Sequence, residues 1–256
     1  MTQTPHAQRI SEQFSPQANA YLTSTVHATG EDLQRLTGWL ATESKSDVLD
    51  IGCGAGHASF VAAPLVKQVT AYDLSTEMLA VVKKAADERG LANIECRQGV
   101  AEVLPFADQQ FDLVISRYSA HHWQDVPQAL REVYRVLKPG GRLIIMDIAS
   151  PGAPLLDIWL QSIEVLRDPS HVRDYSPGEW LQMTTESGLR IEQLVTGRLA
   201  LDFEQWVTRM KTPPSTVAAI RALQQAISSQ VQHYFQLQQD GSFQTDTLMF
   251  AAQRPA

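Results

Sequence analysis

The 256 residues carry 21 Lys+Arg against 28 Asp+Glu, a formal charge of −7, which argues against a protein that grips nucleic acid through a broad basic surface. With 44% apolar and 19% charged residues the chain is globular rather than disordered, and its two cysteines, Cys53 and Cys96, form no disulfide framework and have no metal-ligand spacing. The polar start from Met1 to Arg9 lacks the apolar core of a signal peptide, and no run reaches the roughly 20 apolar residues that span a bilayer, so a soluble, cytoplasmic protein without membrane insertion is expected.

Residues 1–28 read as an arm with helix over 16–27. Thr29, three before Asp32, reads as a capping-box start, and Leu33, Leu36, Trp39 and Leu40 follow at helical spacing. Residues 48–51 form a short, mostly apolar strand that runs into glycines at 52, 54 and 56 and then a helix over 58–66. Residues 68–72 are a second strand, Ser75 caps a helix that ends at Gly90, and 94–98 are a third strand. A nearly continuous apolar strand covers 111–116. Asp125 starts a helix with Val126, Leu130, Val133, Tyr134 and Leu137 on one stripe, Pro139-Gly140-Gly141 stops it, and 143–148 are the fifth strand. Five strands alternating with helices predict a parallel sheet covered on both faces. Beyond it the pattern predicts helices at 155–166 and 177–186, a strand at 191–195, a helical insertion or lid over 203–237, and a last strand at 247–252.

The informative segment is Val48-Leu-Asp-Ile-Gly-Cys-Gly-Ala-Gly56. Glycine lets a ligand approach the main chain closely, and open α/β sheets bind ligands at the carboxyl ends of their strands. A dinucleotide fingerprint would want glycine at 57, where this chain has His57, so a nicotinamide-dependent oxidoreductase is the second reading. Asp73 follows Gly52 at the end of the second strand, where a carboxylate accepts from both ribose hydroxyls. Glycine turn and acid together, in a strand–turn–helix–strand context, point to a nucleoside.

At these residues the sequence resembles the class I S-adenosylmethionine-dependent methyltransferases, in the manner of the ubiquinone/menaquinone-biosynthesis C-methyltransferases. Val48 to Gly56 matches the first motif, Ala71-Tyr-Asp-Leu-Ser75 the second, and Phe111-Asp-Leu-Val-Ile-Ser116 and Leu137-Lys-Pro-Gly-Gly141 the later two. The resemblance implies an α/β fold with a doubly wound, mostly parallel seven-stranded sheet. It implies one domain over 1–256: an arm and helices to 45, a cofactor-binding core over 46–150, and acceptor-side helices, insertion and last strands over 151–256. It also implies residue roles. Asp50 and the backbone around Gly52 and Gly54 would face the methionine end of S-adenosyl-L-methionine, Asp73 the ribose, and Leu74 and Met78 the adenine, with Cys53, Gly56 and Ser116 also among the cofactor-binding residues. S-adenosyl-L-homocysteine would be the product. Relatives often carry Asp at the place of Val100, so here the backbone of Val100 and Ala101, or the Glu102 carboxylate, would meet the adenine amino group.

The implied acceptor is a small molecule, methylated on carbon or oxygen; a nucleic-acid methyltransferase is disfavoured by the charge. No metal is called for. His121 and His122 lie just past the fourth strand and are the candidate bases, since neutral histidine takes a proton near pH 7. Arg117, Tyr118 and Trp123 flank the same rim, with His171 and Arg173 further on; the arm at 1–28 and the helices over 155–237 are the expected lid, and their aromatics Tyr21, Trp159, Trp206, Tyr234 and Phe235 are candidates for an apolar acceptor pocket.

Overall fold

The computed structural model describes residues 5–23 and 30–256. The arm consists of α1 (Pro5–Phe14), a 3-10 turn (Ser15–Gln17) and α2 (Ala18–Thr23). Thr29 and residues 24–27 of the expected arm helix lie outside the described residues. The next helix, α3 (Glu31–Trp39), follows an extended Gly30 with no side-chain cap bond, and Glu31 and Asp32 place negative charge on its first turn.

Seven strands form one sheet in the order β3-β2-β1-β4-β5-β7-β6. They are β1 (Asp47–Ile51), β2 (Gln68–Asp73), β3 (Ile94–Gln98), β4 (Phe111–Arg117), β5 (Leu137–Ala149), β6 (Arg190–Leu201) and β7 (Phe243–Gln253). The first five pair in parallel; β7 runs antiparallel to both β5 and β6. The helices between them are α4 (His57–Ala62), α5 (Thr76–Glu88), α6 (Val126–Val136), α7 (Pro154–Arg167) and α8 (Pro177–Glu186). The strand order reverses at β1, with β2 on one side and β4 on the other, so a crevice opens at the carboxyl ends of these strands.

Side-chain alternation sends the strands' apolar residues to both faces. Leu49, Ile51 and Val114 pack under the α6 stripe of Val126, Ala129, Leu130 and Val133, together with Trp180 of α8. Val48, Leu113 and Ile115 face the other way, against Leu33 and Leu36 of α3 and Ala58 and Ala62 of α4.

The last two strands, expected at 191–195 and 247–252, extend over Arg190–Leu201 and Phe243–Gln253, and two other expected elements change more. The strand expected at 143–148 begins at Leu137, because Pro139-Gly140-Gly141 bends within it rather than preceding it: Gly140 N–H donates to the Arg254 carbonyl and Arg254 N–H to that of Gly141. The helical stretch over 203–237 is three helices, α9 (Phe203–Arg209), α10 (Pro214–Ala226) and α11 (Ser229–Tyr234). Pro213 and Pro214 cannot continue α9, and Ser228 caps a new start by accepting from Val231 N–H. This insertion between β6 and β7 has its own core, in which Phe203, Trp206, Ile220 and Phe235 pack on Trp159, Leu160 and Ile163 of α7. Among the described residues no helix is long and apolar enough to cross a membrane.

Candidate active site

Where β1 ends, Gly52 N–H and Cys53 N–H both donate to the Tyr72 carbonyl, at 2.8 and 3.1 Å, and Gly56 N–H closes the turn onto the Cys53 carbonyl at 2.8 Å. Gly52 and Gly54 sit at φ +65° and +52°, a region that L side chains rarely adopt. A Cβ on Gly52 would lie 1.8 Å from Ser119 Oγ, whereas a Cβ on Gly54 would meet no atom within 4 Å. Gly54 therefore presents bare backbone to open space.

That space is a cavity of about 530 Å³, in the range of small-molecule sites. The glycine turn is its floor, Asp73, Leu74 and Met78 one wall, and the Gly99–Glu102 segment another. His6, Ile10 and Phe14 of α1 roof it. The arm is held there by specific bonds. His6 Nε2 meets the His122 carbonyl at 2.9 Å, Ser15 Oγ meets Ser75 Oγ at 2.8 Å, and Gln13 Nε2 donates to the Met210 carbonyl at 3.0 Å.

Four acidic residues line this cavity, Asp50, Asp73, Glu102 and Asp125, and the first two stand beside the glycine turn. Asp73 Oδ2 accepts from Gly54 N–H at 2.8 Å and Oδ1 from Ser75 N–H at 2.9 Å. Burial pushes the Asp73 carboxyl up, against the pull of those N–H groups. Asp50 is fully buried; its Oδ2 accepts from Ser59 Oγ at 2.6 Å, and its Oδ1 has no hydrogen-bond partner among the described residues. Burial pushes the Asp50 carboxyl up to about 7. A nucleoside carrying an amino-acid tail suits these groups: a diol for Asp73, a flat base between Leu74 and Met78, and a polar tail along Gly54 toward Asp50.

The family model described as a methyltransferase domain matches residues 49–145. The chain is 57% identical to the protein YafE of Escherichia coli K12 over 205 residues, 80% of this chain and 99% of that protein. It is 40% identical to the uncharacterized methyltransferase YcgJ of Bacillus subtilis 168 over 200 residues, 78% of this chain and 79% of that protein. The crystal structure of YcgJ superposes with a TM-score of 0.84 at 34% identity, covering 88% of this chain and 99% of that one. The chain belongs to the class I S-adenosylmethionine-dependent methyltransferases.

The methyltransferase brings most of its sequence-expected cofactor residues to one cavity: Asp50, Gly52, Cys53, Gly54, Asp73, Leu74, Met78, Val100, Ala101 and Glu102 all line it. Gly56 and Ser116 are not among the lining residues. A Cβ on Gly56 would press on Phe60 and Val82, and Ser116 is buried with its hydroxyl donated to the Ile51 carbonyl. The Glu102 carboxylate accepts from the Gln124 and Asp125 N–H groups. Arg117 is ion-paired with Asp32.

The two histidines separate. His122 lines the main cavity, while His121 faces a second, smaller cavity of about 80 Å³. His121 Nδ1 bonds Asp147 Oδ1 at 2.6 Å, and His122 Nδ1 donates to the Ser170 carbonyl at 3.2 Å. Burial pulls His121 down, but the Asp147 charge and hydrogen bond outweigh it and raise this imidazole to about 9. Burial, then the His121 charge, lower His122. Neighbouring rings are thus pushed to opposite protonation states near pH 7. His171 bonds Gln161 Oε1 at 2.9 Å, and Arg173 is ion-paired with both Asp157 and Glu179. Of the candidate pocket aromatics, Tyr21 lines both cavities and Trp206 the smaller one, whereas Trp159 and Phe235 pack into the core under the insertion and Tyr234 packs against its edge. Among the described residues no group of three His, Cys, Asp or Glu side chains is placed to hold a metal ion.

The arm residues His6, Ile10 and Phe14 stand where sequence reasoning placed a lid; what it missed are Asp147, Glu164, Asp168 and Asp174 around the smaller cavity. The one available signal was an acid, Asp147, inside an otherwise apolar strand.

The turn itself yields a stability prediction. Gly54→Ala should cost about 1–2 kcal/mol, the price of a left-handed L-residue alone. Gly52→Ala should cost clearly more in urea unfolding, because Ser119 must also move. Equal losses would mean that Ser119 yields freely.

Proposed function

We propose that this methyltransferase transfers a methyl group from S-adenosyl-L-methionine to a small-molecule acceptor, on a carbon or oxygen nucleophile, acting as one cytoplasmic domain over the whole chain. The observation that carries this reading is the clamp of Gly54 N–H on Asp73 Oδ2, which sets bare backbone and a ribose-seeking carboxylate on the same cavity wall.

When bound, S-adenosylmethionine supplies a methyl group already activated by its sulfonium charge. The chain's task is to hold the acceptor in line and keep water out, and positioning of this kind is worth on the order of 7–11 kcal/mol in favourable cases. In this reading Asp73 holds the ribose, Leu74 and Met78 flank the adenine, and Asp50 faces the methionine end. Glu102 Oε1 accepts from the Gln124 and Asp125 N–H groups and the Val100 carbonyl from Tyr72 Oη, so the adenine edge is met either by Glu102 Oε2 or by the remaining main-chain groups of Val100 and Ala101. The α1 roof shields the site. His121 and His122 remain the candidate catalytic pair: His122 adjoins the cofactor cavity as a neutral imidazole, and His121 stands behind it with a charge.

Calorimetric titration with S-adenosylhomocysteine tests the reading. Saturable one-to-one binding is expected, with no heat from NAD. Binding of NAD instead would move the chain to the oxidoreductase reading, and binding of neither by folded protein would remove the proposed activity.

A further inference from the structure

The smaller cavity is a compartment of unusual composition. Phe14, Tyr21, Tyr118 and His122 line both cavities and so form a wall that the two share. Behind it stand His121, Arg167, Arg209, Glu164, Asp168 and Asp174. Burying so many ionisable groups is costly unless each is paired or the compartment serves a ligand.

Most of the acids are already matched. Glu164 pairs with Arg167 at 3.2 Å, and Asp168 Oδ1 accepts both the N–H and the hydroxyl of Ser170, at 2.8 and 2.6 Å. Asp174 is the exception. It is 2% exposed, and its Oδ2 has no hydrogen-bond partner among the described residues; His171 Nε2 stands 3.9 Å away, beyond hydrogen-bond reach and already bonded to Gln161 Oε1. On the cationic side, His121 spends Nδ1 on Asp147, and its Nε2 edge is left toward the compartment.

We propose that this compartment seats a carboxylate of the acceptor, received by the His121 Nε2 edge, Arg167, Arg209 and the unpartnered Asp174 Oδ2. The inference rests on the methyl-transfer reading, and it names the acceptor class. At about 80 Å³ the compartment admits a carboxylate and little more, so the rest of the acceptor extends past His122 into the cofactor cavity. Burial raises the Asp174 carboxyl well above its usual range, which suits a proton donor facing an anionic guest. The raised His121 supplies a positive charge on the same wall. A neutral amide of the same shape would offer Asp174 one acceptor but turn an N–H₂ toward the His121 and Arg donors. Such a donor–donor clash is what lets a site built for one group reject its isostere.

The test uses benzoate and its isostere benzamide, titrated calorimetrically at pH 7 into the whole protein with and without saturating S-adenosylhomocysteine. Benzoate is expected to bind at least tenfold more tightly than benzamide. His121→Gln should lower benzoate affinity at least fivefold while the affinity for S-adenosylhomocysteine stays within twofold. If that variant fails to fold, the wild-type protein decides: the imidazole ¹⁵N resonances of His121 should move with benzoate and not with benzamide. Equal binding of the two probes, no binding of benzoate, or unmoved His121 resonances would overturn the carboxylate seat. Uptake of S-adenosylhomocysteine is read in its own titration, so a failure there counts against the methyl-transfer reading, while the titrations without it still decide what the compartment holds.

Discussion

Asp73→Ala should leave the protein folded and lower its affinity for S-adenosylhomocysteine by at least a hundredfold. The Asp73 oxygens each accept one main-chain N–H, from Gly54 and Ser75, and a carboxylate oxygen has room for a second donor. Two ribose hydroxyls fill those places in our reading. Hydrogen bonds to a charged acceptor are worth about 1.5–3 kcal/mol each, so losing two corresponds to roughly 10²–10⁴ in Kd. The same substitution uncovers two N–H groups, at about 1–3 kcal/mol for a buried one. Here the loss should be at the low end, because Gly54 borders the cavity, where water reaches it, and because a carboxylate that burial disfavours is removed. Asp73→Asn should be no rescue: its amide nitrogen would face either Gly54 N–H or Ser75 N–H, donor against donor. Calorimetry and urea unfolding on the same samples check both halves, and a Kd within tenfold of wild type would take the ribose away from Asp73.

What the sequence made legible follows from how each element is buried. Parallel strands covered on both faces are nearly continuous in apolar residues, and β4, with Leu113, Val114 and Ile115 all buried, shows this directly. The edge strand β6 runs over twelve residues, yet only the span 191–195 reads as strand. The strand is largely exposed, and Gly197 and Arg198 interrupt the apolar pattern beyond Val195. Lys138-Pro-Gly-Gly141 reads as a stop because Pro and Gly oppose regular structure locally; Gln253 and Arg254, far along the chain, supply bonds to Gly140 and Gly141 there. The cofactor side was readable because its residues are contiguous: turn, acid and Gly99–Glu102 segment each follow a strand. The acceptor side was not. Asp147, Glu164, Asp168 and Asp174 come from β5, α7 and the loop after it, and no local spacing records that the fold converges them on His121.

Asp147→Asn should separate the two histidines' roles through pH alone. His121 sits near 9 in the folded protein and near 6.5 when unfolded, so folding favours its protonated form. The stabilisation from this pair is fully present below about pH 6.5 and is lost as pH rises through 9. Its size follows from the difference between the two pKa values and is about 3 kcal/mol, comparable with the cost of breaking a buried pair. In the Asn variant the side chain keeps its shape and its carbonyl still accepts the His121 Nδ1–H, but burial now dominates and His121 becomes neutral. The stability difference between wild type and variant should therefore be about 3 kcal/mol near pH 6 and shrink toward zero by pH 10. Above that, the variant gains slightly, because the wild type then keeps a buried carboxylate with no cation beside it. Groups remote from His121 cancel, since both proteins carry them, whereas His122 and His171, which the His121 charge lowers, should rise in the variant. Urea unfolding at stepwise pH measures the gap, and histidine NMR of the variant should show His121 below its ordinary value. A gap that stays constant from pH 6 to pH 10 would mean that Asp147 holds the ring in place without charging it. The compartment behind His122 would then present an uncharged His121 edge, and its preference for an anion would fall to Arg167 and Arg209.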